Sequence, residues 1–268
     1  MDRYVIRGGV EGYERLKVIA GAHWSATSAM LDRIGVRAGM RCVDVGCGGG
    51  EVTFQLARIV GSGGHVTGLD MDEVKLALAR AVAAERGVGN VEFRSVDVSE
   101  WREPGAYDLA FTRLLLEHLS EPVALLRRMW EALLPGGAIA AEDGDFEAIF
   151  CHPPNDGYAF YATEYPETLR RHGGDPTVGR KLFAYFLEAG IPAPELTLTQ
   201  RVDSDGDAKT LPLLTLDAIA DTLLADGISV EMLRSARDEL ARVTADPATI
   251  IGGPRMFHAW SRRPAIGP

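Results

Sequence analysis

Cysteine is scarce in this chain, and base is outnumbered by acid. The 268 residues include three cysteines, Cys42, Cys47 and Cys151. That odd number, without metal-type spacing, argues against both a disulfide framework and a zinc site, and no residue is assigned to a metal, with a magnesium held by acids left open. No run approaches the ~18 apolar residues that a spanning helix needs, so no membrane partner is expected. The opening Met1-Asp2-Arg3-Tyr4 lacks the apolar stretch of a signal peptide, which makes the cytoplasm the expected location. Lysine and arginine total 28 against 38 aspartates and glutamates, a formal charge of -10. An acidic surface repels phosphate backbones. With no basic cluster beyond Arg262 and Arg263, nucleic acid is excluded as an expected partner.

What is present is an ordinary globular mixture, 46% hydrophobic and 25% charged, without repeats or low-complexity tracts. The length suits one domain carrying insertions. From residue 40 onward, short apolar runs alternate with helical periodicity, the pattern of a parallel sheet covered by helices. The expected strands are Met40–Gly46, His65–Asp70, Val91–Ser95, Tyr107–Thr112, Ala138–Glu142, Glu195–Val202 and Arg255–Ser261. Residues 10–34 read as one or two helices. A helix with Val123, Leu126, Trp130 and Leu133 on one face is expected to stop at Pro135-Gly136-Gly137. Residues 144–175 read as an irregular insertion with one short helix, and residues 203–253 as a second insertion with two amphipathic helices. The fold class is therefore α/β, a doubly wound Rossmann-like seven-stranded sheet, mostly parallel with the last strand antiparallel, and helical lid insertions. The expected division is a helical cap over 1–37, a ligand-binding core over 38–143, insertions over 144–175 and 203–253, and a final strand over 254–263.

The most informative stretch is Val43-Asp44-Val45-Gly46-Cys47-Gly48-Gly49-Gly50-Glu51, where a buried strand runs through glycines straight into a helix. Such a loop lets a ligand approach backbone amides at a helix N-terminus. A dinucleotide fingerprint beginning at Gly46 would require its last glycine where Glu51 stands, and a carboxylate there repels a pyrophosphate. That disfavours a nicotinamide oxidoreductase. Asp70 closes the second strand, where an acid can accept hydrogen bonds from both ribose hydroxyls. Asp97, just past the third strand, is placed for the exocyclic amine of an adenine. Ribose and adenine partners without a phosphate site point to an adenosine ligand carrying something other than phosphate.

The order and spacing of these pieces resemble class I S-adenosylmethionine-dependent methyltransferases, well over residues 40–143 and more loosely to Arg263. The segment Phe111-Thr112-Arg113-Leu114-Leu115-Leu116-Glu117-His118-Leu119 resembles the one after the fourth strand in quinone-biosynthesis-type and natural-product methyltransferases. The resemblance implies S-adenosylmethionine as cofactor and S-adenosylhomocysteine as product. It places Asp44, Gly46, Cys47, Gly48 and Gly50 at the methionine part, Asp70 and Met71 at the ribose and adenine edge, and Asp97 and Val98 at the adenine. Arg113 would face the methionine end through its backbone.

His118 has the chemistry of a general base, against the plainer reading of a structural histidine at a turn. His23 lies on the amino-terminal helices, which in related enzymes fold over the cofactor. Asp143, Asp145 and Glu147 cluster where such enzymes meet their substrate, and Asp145 completes the catalytic candidates. Six aromatic residues crowd between 146 and 165. Phe146, Phe150, Tyr158, Tyr161 and Tyr165 are the candidate substrate contacts, with a small self-packed core as the competing reading. The expected activity is O-, N- or C-methylation of a small apolar or aromatic molecule. A cyclase or isomerase on the same fold, and a protein methyltransferase, stand as alternatives. The expected partner is the small-molecule acceptor, with a homodimer left open.

Overall fold

A computed structural model describes residues 9–265, with side chains from residue 12 onward. Eight strands form one sheet: β1 (Arg41–Val45), β2 (His65–Asp70), β3 (Val91–Ser95), β4 (Tyr107–Arg113), β5 (Leu133–Asp145), β6 (Phe150–His152), β7 (Glu195–Asp203) and β8 (Ile250–Arg262). The order runs β3-β2-β1-β4-β5-β8, with β7 on the outer side of β8 and β6 continuing the line of β5 along β8. The first five strands are parallel, and β8 is antiparallel to each of its neighbours. The seven expected strands are all there, and the eighth is the three-residue β6. Strand order reverses between β1 and β4, so the crevice at their carboxyl ends is where a ligand of such a sheet is expected.

Along the described chain the helices are α1 (Gly9–Ile34), α2 (Glu51–Val60), α3 (Glu73–Glu85), α4 (Pro122–Glu131), α5 (Asp156–Arg171), α6 (Val178–Glu188), α7 (Leu211–Ala218), α8 (Ala220–Ala225) and α9 (Val230–Ala245). Helices α3, α5 and α9 start on side-chain caps. Asp72 accepts from the amides of Val74 and Lys75 to begin α3, and Ser229 accepts from Met232 to begin α9. Residues 1–8 of the expected cap lie outside the described residues; the remainder forms the single helix α1.

One core lies between the sheet, α4 and α6, around Leu126, Met129, Leu182 and Phe186. Another lies on the opposite face, under α2 and the end of α1, around Leu31, Leu56 and Val66. The insertions build a third core, in which Phe146, Tyr158, Tyr161 and Tyr165 pack with Leu216, Leu223 and Leu240.

Residues 203–253 hold α7, α8 and α9 rather than two helices, and the final strand β8 already begins at Ile250. Two further segments depart from expectation. The stretch 144–175 holds β6 and a 16-residue α5 rather than irregular chain with one short helix. Gly157 and Pro166 look like breakers in sequence. In the fold, Gly157 lets α5 meet α9 so closely that a Cβ there would lie 2.5 Å from the Ala236 carbonyl oxygen. Second, Pro135-Gly136-Gly137 belongs to the beginning of β5, because α4 already ends at Glu131.

Candidate active site

The turn from β1 to α2 is built from residues that tolerate left-handed backbone: Gly46, Gly48 and Gly50 have φ of 77°, 54° and 82°. The Gly46 and Cys47 amides donate to the Leu69 carbonyl at 2.7 and 2.9 Å, binding the loop to the end of β2. Asp70 Oδ2 accepts from the Gly48 amide at 2.8 Å, and its Oδ1 from the Asp72 amide at 2.9 Å. Beneath the loop, Asp44 is buried and accepts from Thr53 Oγ1 at 2.7 Å. Helix α1 closes over it: a Cβ on Gly49 would lie 2.4 Å from the Tyr13 ring, and one on Gly48 2.8 Å from Leu16.

This loop forms one end of a cavity of about 840 Å³, within the size range of small-molecule sites. Asp70, Met71, Asp97 and Val98 line it beyond the glycines. Arg113, Leu114 and Glu117 form its floor after β4, and His23 and Arg15 of α1 face it from above. Phe146, Tyr161, Tyr165 and Thr215, from the two insertions, close the far lobe. Leu114 has a φ of 52°, the one non-glycine residue with positive φ among the described residues, and its amide donates to Glu142 O at 2.9 Å. Strain of this kind persists only where the surroundings enforce it.

Burial sets the charge states. It raises Asp44 to about 6, against the opposing pull of the Thr53 hydroxyl and Arg113. It raises Asp143 to about 7, and it pushes Glu117 well above the carboxylate range, with Asp143 adding to the effect. It lowers both His23 and His118 to about 3, with neighbouring cations reinforcing the shift. Both histidines are therefore neutral at pH 7, and weak as proton acceptors. His118 Nε2 lies 3.3 Å from Glu117 Oε1. Among the described residues, no three His, Cys, Asp or Glu side chains converge as a metal site would need.

Behind the floor runs a buried polar chain. Thr199 Oγ1 lies 2.9 Å from His258 Nε2, and His258 Nδ1 2.7 Å from Glu142 Oε1. Thr27 Oγ1 donates to Glu142 Oε2 at 2.7 Å, and Arg113 Nη1 lies 3.3 Å from the same hydroxyl.

Residues 37–170 match the family model for a methyltransferase domain. The chain belongs to the class I S-adenosylmethionine-dependent methyltransferases. A ubiquinone biosynthesis O-methyltransferase of Acinetobacter baumannii (strain ACICU) is 32% identical over 136 residues, 50% of this chain and 54% of that one. The chain thus spans about half the length of the curated relatives it matches. An S-adenosylmethionine-dependent methyltransferase from Aquifex aeolicus superposes with a TM-score of 0.52 at 17% identity, covering 88% of each chain. The cyclase SpnF does so with a TM-score of 0.54 at 20% identity, covering 90% of this chain and 81% of that one. At these identities the solved structures establish the fold.

In the methyltransferase cavity lie Asp44, Gly46, Cys47, Gly48, Asp70, Met71, Asp97, Val98 and Arg113, together with His23, His118, Phe146, Tyr161 and Tyr165. Gly50 does not line it. As the residue capping α2, it packs on Phe93 instead. Asp145 lies outside as well: Arg180 Nε donates to its Oδ2 at 2.9 Å, which makes Asp145 a structural ion-pair partner. Tyr158 points into the insertion core and donates to the Gly252 carbonyl at 3.0 Å. Phe150 is half-exposed against Gly252 on β8. The self-packed core is present, and Phe146, Tyr161 and Tyr165 belong both to it and to the cavity wall. Sequence reasoning missed Arg15, Glu142 and Thr215. An arginine or threonine on a helix ordinarily faces water, and nothing in the chain marks these as buried.

Proposed function

We propose that this chain transfers a methyl group from S-adenosylmethionine to a small apolar or aromatic molecule. The observation that carries the reading is one continuous cavity whose wall holds the glycine loop and its acids together with Phe146, Tyr161 and Tyr165. The residues present fit an adenosyl ligand. Asp70 uses one lone pair on each oxygen for backbone amides, leaving capacity for two ribose hydroxyls. Gly46, Gly48 and Gly49 let the loop lie tight against Leu115, Leu16 and Tyr13, where a Cβ would come within 2.8 Å, and the Gly46, Cys47 and Gly48 amides hold the loop's shape by bonding to Leu69 and Asp70. Asp44 and Arg113 supply one acid and one cation for an amino-acid tail, and Asp97 and Val98 flank the place for adenine.

Bound S-adenosylmethionine supplies a methyl group already activated on a sulfonium. The chain's own contribution is alignment and exclusion of water, effects that reach roughly 7–11 kcal/mol in well-oriented systems. The insertions 144–175 and 203–253 act as the lid with α1, through Tyr161, Tyr165, Leu211 and Thr215. His118, neutral and weakly basic, serves as a hydrogen-bonding group. The name of the ubiquinone-biosynthesis relative supports transfer to oxygen. The likeness to a cyclase supports a second reading, a non-methylating reaction in the same cavity, because a fold does not fix its chemistry. Incubation with S-adenosylmethionine and a panel of hydroxylated aromatics tests the choice. Release of S-adenosylhomocysteine in step with acceptor consumption is expected; acceptor turnover without that release supports the cyclase reading.

A further inference from the structure

Arg15 is a charged side chain 9% exposed in the wall of the acceptor lobe. Its Nε donates to Thr215 Oγ1 at 3.0 Å, which fixes the guanidinium plane against α7. The two terminal nitrogens make no hydrogen bond or ion pair among the described residues. A guanidinium withdrawn this far from water is costly unless something pairs with it.

The groups around it do not supply that pair. Glu117 and His118 from the segment after β4 and Tyr161 from α5 interact with it electrostatically; Tyr165 and Lys75 line the same cavity, and Asp143 and Asp175 act on Glu117. Glu117 Oε1 accepts from Tyr165 Oη at 3.3 Å, and its Oε2 is buried with no hydrogen-bond partner among the described residues. Burial favours the protonated forms of Glu117 and Asp143. Asp175 is engaged by Lys181 and by Thr177. The lobe therefore presents a planar two-nitrogen fork facing away from Thr215, a geometry that matches the two oxygens of a carboxylate. Beside it, Tyr161 and Tyr165 stack with ring centres 5.9 Å apart, and Phe146 meets Tyr165 edge-on at 5.0 Å.

We propose that Arg15 sets acceptor specificity and that the acceptor is an aromatic carboxylate, its anionic group on the guanidinium fork and its ring against Phe146, Tyr161 and Tyr165. This rests on the methyl-transfer reading above. The cofactor's methionine carboxylate is the other source of the same chemistry. The acceptor is favoured because Arg113 stands at the methionine end, coupled electrostatically to Asp44 and Glu51. Arg15, by contrast, is held by Thr215 of the second insertion.

The test is calorimetric titration of the S-adenosylhomocysteine-loaded protein with 2-naphthoate, 2-naphthamide and 2-naphthylmethylammonium. Naphthoate is expected to bind about tenfold or more tighter than the amide, the scale of a charge-assisted pair. Arg15→Gln should remove that preference, and Arg15→Lys should keep part of it. Equal affinities for naphthoate and naphthamide in the unaltered protein, or tighter binding of the ammonium, overturn the proposal without recourse to a variant. A loss of S-adenosylhomocysteine affinity in Arg15→Gln, with 5'-methylthioadenosine affinity retained, assigns the fork to the cofactor and overturns it too. Failure of the unaltered protein to bind S-adenosylhomocysteine overturns the methyl-transfer reading, and this inference with it.

Discussion

The Gly48 amide donates to Asp70 Oδ2 at 2.8 Å, so the glycine loop after β1 and the acid that ends β2 form one unit. The other carboxylate oxygen takes the Asp72 amide, and Asp72 in turn caps α3. Any ligand that draws on Asp70 therefore meets a carboxylate already oriented by two backbone donors.

Replacing Asp70 by alanine should weaken S-adenosylhomocysteine binding by about 10- to 100-fold, the worth of one or two hydrogen bonds to a charged acceptor. Asp70→Asn should fall between the two. Calorimetry reads the change directly, and an unchanged affinity in Asp70→Ala contradicts the ribose assignment.

Asp44 carries a proton-linked prediction. In the free protein burial holds its carboxyl near 6, above the ordinary 3.8. Its effect on stability has a definite sign: between those values the folded form keeps a proton that the unfolded chain releases, so stability from this group falls as pH rises and levels off above 6. A bound sulfonium and ammonium would favour the ionised carboxylate. S-adenosylmethionine affinity should thus climb from pH 5 toward pH 7 and then flatten, with proton release on the rising limb. Titration in buffers of different ionisation enthalpy measures that release, and proton uptake there would place Asp44 away from the cofactor's cations.

Glu142 is fully buried and accepts from Thr27 while holding His258. Glu142→Ala removes the partner of His258 Nδ1 and leaves Thr27 with only the His23 carbonyl as acceptor, which should cost about 3–5 kcal/mol in urea unfolding. Glu142→Gln keeps an acceptor oxygen and should cost less. A change under about 0.5 kcal/mol, the range of surface substitutions, would mean that water replaces the side chain freely.

Much of this was legible in the chain because buried parallel strands write themselves as short apolar runs between glycines. Cys42, Val43 and Val45 of β1 are all wholly buried, and the loop that follows needs glycine for its backbone. The aromatic segment was harder to read. Gly157 and Pro166 break helices in isolation, yet α5 runs through both, and at Gly157 it is the close packing on α9 that calls for a glycine. Asp145 and its acidic neighbours looked like one cluster in sequence. In space Asp143 is buried against the Leu116 and Gly144 amides, whereas Asp145 turns to Arg180. Arg15 left no trace, because its partner Thr215 lies 200 residues away.

The most direct measurement is calorimetric titration of the protein with S-adenosylmethionine and S-adenosylhomocysteine, with NAD as control. Micromolar binding of both adenosyl ligands and no heat with NAD is the predicted result. Binding of NAD, or of none of the three, would contradict the reading of the glycine loop and of Asp70 on which the account stands.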